Sequence, residues 1–295
     1  MTNISFFSYK GGAGRTSLLY NTIPFIAEKL GATEKEPIIV IDLDIDSKGL
    51  TYLIDRDCDI NSVQVLKGEI PHNPRMGYTL KDHPFFSKLV PIGEDVGLAE
   101  KLDRSVLFVP APKGRALLGT SNIDGQNISL NKFRDICKAF GCKAVIMDTP
   151  TGNQLSGECA LSISQKIVTV MRITKQFNAG TKEFLGSKLV KDFSNKEFII
   201  MPNAVPTVPL VDGKPKYDME KIIRRIANNA RNALGESRNY LNLSFLENGM
   251  SGVNEVNSFK FEELNLRKEQ MSRTLIDDEC QAMEIYQLLA KELVK

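Results

Sequence analysis

Six short apolar runs constrain this chain more than any other feature: "ISFFS" at 4–8, "PIIVID" at 37–42, "VLFVP" at 106–110, "KAVIMD" at 143–148, "KIVTVM" at 166–171 and "EFIIMP" at 197–202. They are rich in Val, Ile and Phe and stop at Pro, Gly or charge. Strands of a parallel sheet read this way because both of their faces are covered. Between them, Ser17 to Leu30, Leu130 to Phe140, Asn178 to Phe193 and Tyr217 to Leu234 repeat apolar residues at three-to-four spacing, the period of an amphipathic helix. The alternation predicts an α/β fold: a doubly wound, mostly parallel sheet with helices on both faces.

Ligands of such sheets bind beyond the carboxyl ends of the strands, where the loops converge. A glycine-rich loop follows the first run, Asp42 and Asp44 end the second, Asp148, Thr149 and Pro150 end the fourth, and Asn203 follows the sixth. Four strands thus deliver polar residues to one rim.

The loop reads "KGGAGRTS", Lys10 to Ser17. Gly11, Gly12 and Gly14, with the small Ala13 between them, free successive backbone N–H groups to turn inward around phosphate oxygens. The following helix adds its positive amino end. Thr16 stands where a hydroxyl meets Mg²⁺, and Ser17 adds a donor in the first helical turn. The strict G-x-x-x-x-G-K-[ST] pattern is missed at Tyr9 and at Arg15.

"KGGAGRTS" resembles the deviant Walker motif K-G-G-x-G-K-[ST]-[ST] of the ParA/MinD-type P-loop ATPases. "IDLDIDSKGL" and "VIMDTPTG" look like the second and third nucleotide motifs of that family. "SVQVLKGEI", "VLFVPAPKG" and "ALSISQKIVTVMRIT" extend the similarity over most of the chain; Pro71 to Glu100 and Asp212 to Phe261 are least covered. Arginine in place of the loop lysine is a variant branch of the family. The resemblance implies ATP and Mg²⁺ as ligands and a homodimer that sandwiches ATP. It implies that Lys10 reaches across to the partner's phosphates and that Asp44 orients the attacking water. It further implies that Asp148 holds Mg²⁺ through water with Asp42 supporting the metal shell, and that Asn203 reads the adenine edge. Spacing alone does not separate Asp44 from Asp46.

Arginine stays cationic and grips phosphate with two parallel donors, but its planar fork is longer than the ammonium it replaces. The expectation is an ATP-binding switch with slow hydrolysis that positions or segregates DNA or a protein complex. The alternative is a nucleotide-sensing adaptor that docks a partner protein without turnover.

Composition narrows the remaining classes. Lys and Arg number 38 against 36 Asp and Glu, so any contact with nucleic acid has to be local. The local candidate is Lys214 to Arg238, with seven basic residues against three acidic. There Lys221, Arg224, Arg225 and Arg231 recur at helical spacing, as on a DNA-contacting stripe or an ordinary solvated face. The five cysteines are scattered and never spaced C-x-x-C, which argues against a disulfide framework, a zinc knuckle and a cluster carrier. No run approaches the ~18 apolar residues of a spanning helix, and the chain reads as cytoplasmic. The C-terminal "CQAMEIYQLLAKELVK" is amphipathic but flanked by acids, which favours packing on the sheet over a membrane surface. No domain boundary is evident in 1–295. The tract 71–100, with its Pro, Gly and charge, is expected as a surface insertion on a single domain.

Overall fold

A parallel sheet buried on both faces needs β-branched and aromatic strands and a helix at each crossover. The computed structural model, which describes residues 1–71, 79–114, 123–192, 195–203, 210–211, 214–215, 219–233, 242–244 and 283–295, has this form. The elements run β1 (Thr2–Phe7), α1 (Arg15–Leu30), β2 (Ile38–Asp42), α2 (Gly49–Ile54), α3 (Ser62–Leu66), β3 (Val90–Pro91), β4 (Val106–Val109), α4 (Ile123–Ala139), β5 (Ala144–Asp148) and α5 (Leu155–Ile163). They continue β6 (Lys166–Met171), α6 (Lys175–Leu185), α7 (Lys188–Lys191), β7 (Glu197–Pro202), β8 (Leu210–Val211), β9 (Lys214–Pro215), α8 (Met219–Ala233), β10 (Asn242–Ser244) and α9 (Met283–Val294).

Eight strands form one sheet in the order β10-β7-β6-β1-β5-β2-β4-β3. Every pairing is parallel except β3 with β4 at the edge. Pro91 suits that edge, since a proline has no N–H to give to a further strand. All six expected strands are present, and β1 lies between β5 and β6, so the loop after it opens where the strand order reverses.

Side chains alternate between two cores. Ile38, Val40, Ala144 and Ile146 point into one, shared with α1, α6 and α9. Ile39, Ile41, Val145 and Met147 point into the other, shared with α3, α4 and α5. The C-terminal helix packs as its pattern suggests: Leu289, Ala290 and Leu293 are fully buried, and Lys166 Nζ donates to the Glu292 carbonyl.

Two expectations change. The helix expected over Asn178 to Phe193 is split. α6 ends at Gly186, and the Ser187 hydroxyl then accepts from Val190 N at 3.3 Å, starting α7 with a cap of its own. The tract 71–100 is not a surface appendage in its described part. Leu80, Phe85, Phe86 and Leu89 are buried in the second core, His83 is buried against Phe86 and Phe140, and β3 completes the sheet edge. Its polar, proline-containing composition masked a short aromatic cluster that closes the end of that core. Residues 72–78, His72 among them, lie outside the described residues.

Of the cysteines, Cys137, Cys142 and Cys159 are buried thiols and Cys58 is half-buried; Cys280 lies outside the described residues. Among the described residues, no helix is long and apolar enough to cross a membrane.

Candidate functional site

The loop leaves β1 at Ser8 and enters α1 directly. Gly12 and Gly14 both have φ of 77°, in the left-handed region where side chains are strained. Gly14 serves as the cap of α1 without any side-chain acceptor, so the amides of the first helical turn have none from it. The N–H groups of Gly11 to Gly14 likewise have no backbone acceptor among the described residues. Gly11 and Gly12 are exposed, and a Cβ on either would meet nothing within 4 Å. These unpaired donors at a helix amino end form a cradle for an anion.

Beside the cradle lie three carboxylates. Register places Asp42 of β2 directly opposite Asp148 of β5. Asp44 follows shortly after β2, its N–H donating to Asp42 Oδ1 at 3.0 Å. All three are buried, whereas Asp46 is exposed, so burial separates the two acids that spacing left equivalent.

Arg15 lies inside this cluster. Its Nε donates to Asp148 Oδ1 at 2.5 Å and its Nη2 to Asp44 Oδ2 at 2.8 Å, with the side chain only 6% exposed. Nη1 is buried without a partner among the described residues. Burial is the largest influence on the guanidinium and opposes its charge, but the two carboxylates outweigh it and hold its pKa above the ordinary arginine value. The cation expected on phosphate therefore stands on the acids.

The remaining carboxylate oxygens are also engaged. Asp148 Oδ2 accepts from Thr16 Oγ1 at 2.8 Å, and Asp44 Oδ1 accepts from Ser47 N at 3.1 Å. Asp42 Oδ2 accepts from both the N–H and the hydroxyl of Thr51, at 2.9 and 2.7 Å, and so anchors α2. Burial, reinforced by the charge of Asp148 and opposed by the Thr51 bonds, raises Asp42 to about 7. Burial also raises Asp148, against the pull of Arg15 and Thr16.

Oxygen donors of the kind Mg²⁺ takes are therefore present in Thr16, Asp42, Asp44 and Asp148. In kind the set fits a hard cation. Its counter-charge here is a guanidinium, and among the described residues no group of three or more His, Cys, Asp or Glu is arranged for a metal.

The other expected residues sit around the loop. Lys10 is exposed and donates to Gln176 Oε1 of α6 at 2.8 Å. Ser17, in the first turn of α1, is half-buried, and its carbonyl accepts from the Asn21 side chain. Asn203, brought to the loop by β7, donates Nδ2 to the Ala13 carbonyl at 2.7 Å rather than standing free. Sequence reasoning missed Tyr9. Its ring lies so close to Gly180 that a Cβ there would meet Tyr9 Cδ1 at 2.0 Å, and its hydroxyl reaches Glu183 at 3.3 Å. A tyrosine in a glycine position of the loop pattern was the available signal. On α8, Lys221 and Arg225 are exposed and Ile226 is buried, while the side chains of Arg224 and Arg231 lie outside the described residues.

No protein-family model and no curated protein sequence matches the chain. Solved structures do. The MinC:MinD cell division protein complex of Aquifex aeolicus aligns with a TM-score of 0.63 at 17% identity, over 99% of this chain and 96% of that one. The ParA family ATPase from Chlorobium tepidum TLS gives 0.63 at 13%, over 98% of each chain. An ATP complex of a Cyanothece McdA variant gives 0.64 at 12%, over 100% of this chain and 96% of that one. Together with the parallel sheet, the strand order and the glycine loop at its centre, these alignments give the chain the α/β P-loop fold of the MinD and ParA family ATPases.

Proposed function

We propose that the protein is an ATP-binding switch of the ParA/MinD kind, with slow hydrolysis at best. The observation that carries the reading is the row of amides from Gly11 to Gly14 that have no backbone acceptor among the described residues, running into the amino end of α1 at the point where strand order reverses. A triphosphate is the anion whose size and charge suit such a row. The fold neighbours include a MinD and a ParA family ATPase and an ATP complex of McdA, which supports ATP as the ligand.

In this reading Gly11, Gly12, Ala13, Gly14, Thr16 and Ser17 bind phosphate. Asn203, already on the loop, lies beside the nucleotide. Thr16 and Asp148 would hold Mg²⁺, with Asp42 behind them. Bound there, the ion would neutralise charge on the phosphate oxygens. Asp44 orients water, and Lys10 exchanges its bond to Gln176 for the phosphates of a second subunit. Titration of Mg-ATP by calorimetry tests the core of the reading, and failure to bind at millimolar nucleotide would end it. Lys10→Ala is expected to keep binding by the monomer and to lose ATP-dependent dimers in sedimentation.

A second reading, a nucleotide-sensing adaptor without turnover, draws on Arg15. With its guanidinium committed to Asp44 and Asp148, Arg15 brings no free cation to the transition state in its own subunit. Phosphate release equal to that of an Asp44→Ala control would favour it; release that rises in Arg15→Lys would favour the switch ATPase. The cargo is DNA or a protein complex for the switch and a partner protein for the adaptor, and co-purification with and without ATP would identify it.

A further inference from the structure

We propose that Arg15 is the resident counter-ion of the Asp44 and Asp148 pair, so that the protein without nucleotide keeps divalent cations off carboxylates that would otherwise take them. The inference concerns the nucleotide-free chain and holds or fails apart from the ATP reading.

Three observations carry it. The guanidinium spans two different carboxylates, Nε on one and Nη2 on the other, so one fixed planar cation serves both acids through separate nitrogens. Every one of the six carboxylate oxygens of Asp42, Asp44 and Asp148 has a protein donor, and the only cation among those donors is Arg15. The third Arg15 nitrogen, Nη1, is buried with no acceptor among the described residues, so the pairing leaves that nitrogen unsatisfied. A dication on the same carboxylates would stand against a fixed positive charge in a site screened from water, where like charges repel strongly. Arg15 and a divalent ion therefore compete for one position. A cation can enter only when the guanidinium leaves, and an oxygen anion that satisfies all of its donors gives it somewhere to go.

A purely architectural ion pair would behave differently. Its removal would lower stability without opening a metal site. The test is Mn²⁺ binding to nucleotide-free protein, followed by electron paramagnetic resonance of the free ion, for wild type, Arg15→Ala and Arg15→Lys. Arg15→Ala is expected to bind Mn²⁺ at least about tenfold more tightly than wild type, because two buried carboxylates lose their only cation. Arg15→Lys keeps a charge in the cavity but places it on one mobile nitrogen in place of a fixed fork, so its affinity is expected to fall between the two. It carries the test alone if the alanine variant does not fold. Equal Mn²⁺ affinity in wild type and variants would overturn the proposal. So would the absence of binding in every form, since the carboxylates would then be no cation site even when freed. Neither result bears on ATP binding, which wild-type calorimetry decides separately.

Discussion

The glycine loop and the carboxylate cluster lie side by side, yet they have been finished in opposite ways. Along the loop, backbone donors from Gly11 to Gly14 are left without backbone acceptors among the described residues, and glycine at 11 and 12 keeps the space around them open. In the cluster, every carboxylate oxygen is satisfied from within the protein. The first region is built to receive something. The second is complete without it, at the cost of one buried arginine nitrogen. Affinity for an anion and control over its chemistry are thus assigned to different groups, and Arg15 belongs to the second although its backbone belongs to the first.

The sharpest way to break this contrast is to remove one acid. Asp148→Asn weakens the pairing of a buried guanidinium, and unfolding in denaturant should show a loss of about 3–5 kcal/mol, the usual cost of breaking a buried ion pair. A loss below about 1 kcal/mol would mean that the cluster is not closed as described.

Next in size is a pair of loop substitutions. Gly14→Ala places a Cβ 2.4 Å from Asn203 Nδ2 at a φ of 77°, so it should cost about 1–3 kcal/mol and abolish ATP binding. Gly11→Ala meets nothing within 4 Å and should leave stability within about 0.5 kcal/mol while weakening ATP binding. If the two behave alike in thermal melts, the open half of the comparison fails.

The cluster also has a pH signature. Asp42 is raised by burial to about 7, above its value in the unfolded chain, so the folded form binds the extra proton between the two. The contribution of Asp42 to stability should be fully present below the ordinary carboxylate range, fall as pH rises through about 7 by at most about 1.4 kcal/mol per unit, and then level off. Asp42→Asn should flatten that slope, as read from unfolding at stepped pH. Smallest of the effects, Asn203→Ala removes the bond that ties β7 to the loop and should cost about 1 kcal/mol.

Much of this was legible in the residues. Strands such as "KAVIMD" and "KIVTVM" are identifiable because double burial leaves few polar positions, and the placement of Asp42, Asp148 and Asn203 at strand ends follows from that alone. α2, α3 and α5 were not picked out by periodicity, being too short to show one. The role of 80–89 was hidden because its aromatic cluster is framed by proline and charge, and composition averaged over the tract reports the frame. Arg15 could be read as a cation near phosphate but not as a partner of acids 29 and 133 positions away, since only the folded sheet brings them within 3 Å. Asp44 and Asp46 could not be ranked, because their difference is burial rather than spacing.

The pairing of Asp42 with Asp148 across adjacent strands has one last implication, for tolerance to length change. Along a strand, neighbouring side chains face opposite ways, so inserting or deleting a single residue within β2 or β5 would turn one of these acids to the far side of the molecule. The connecting segments can lengthen with little penalty, but the frame of these two strands cannot slip by one.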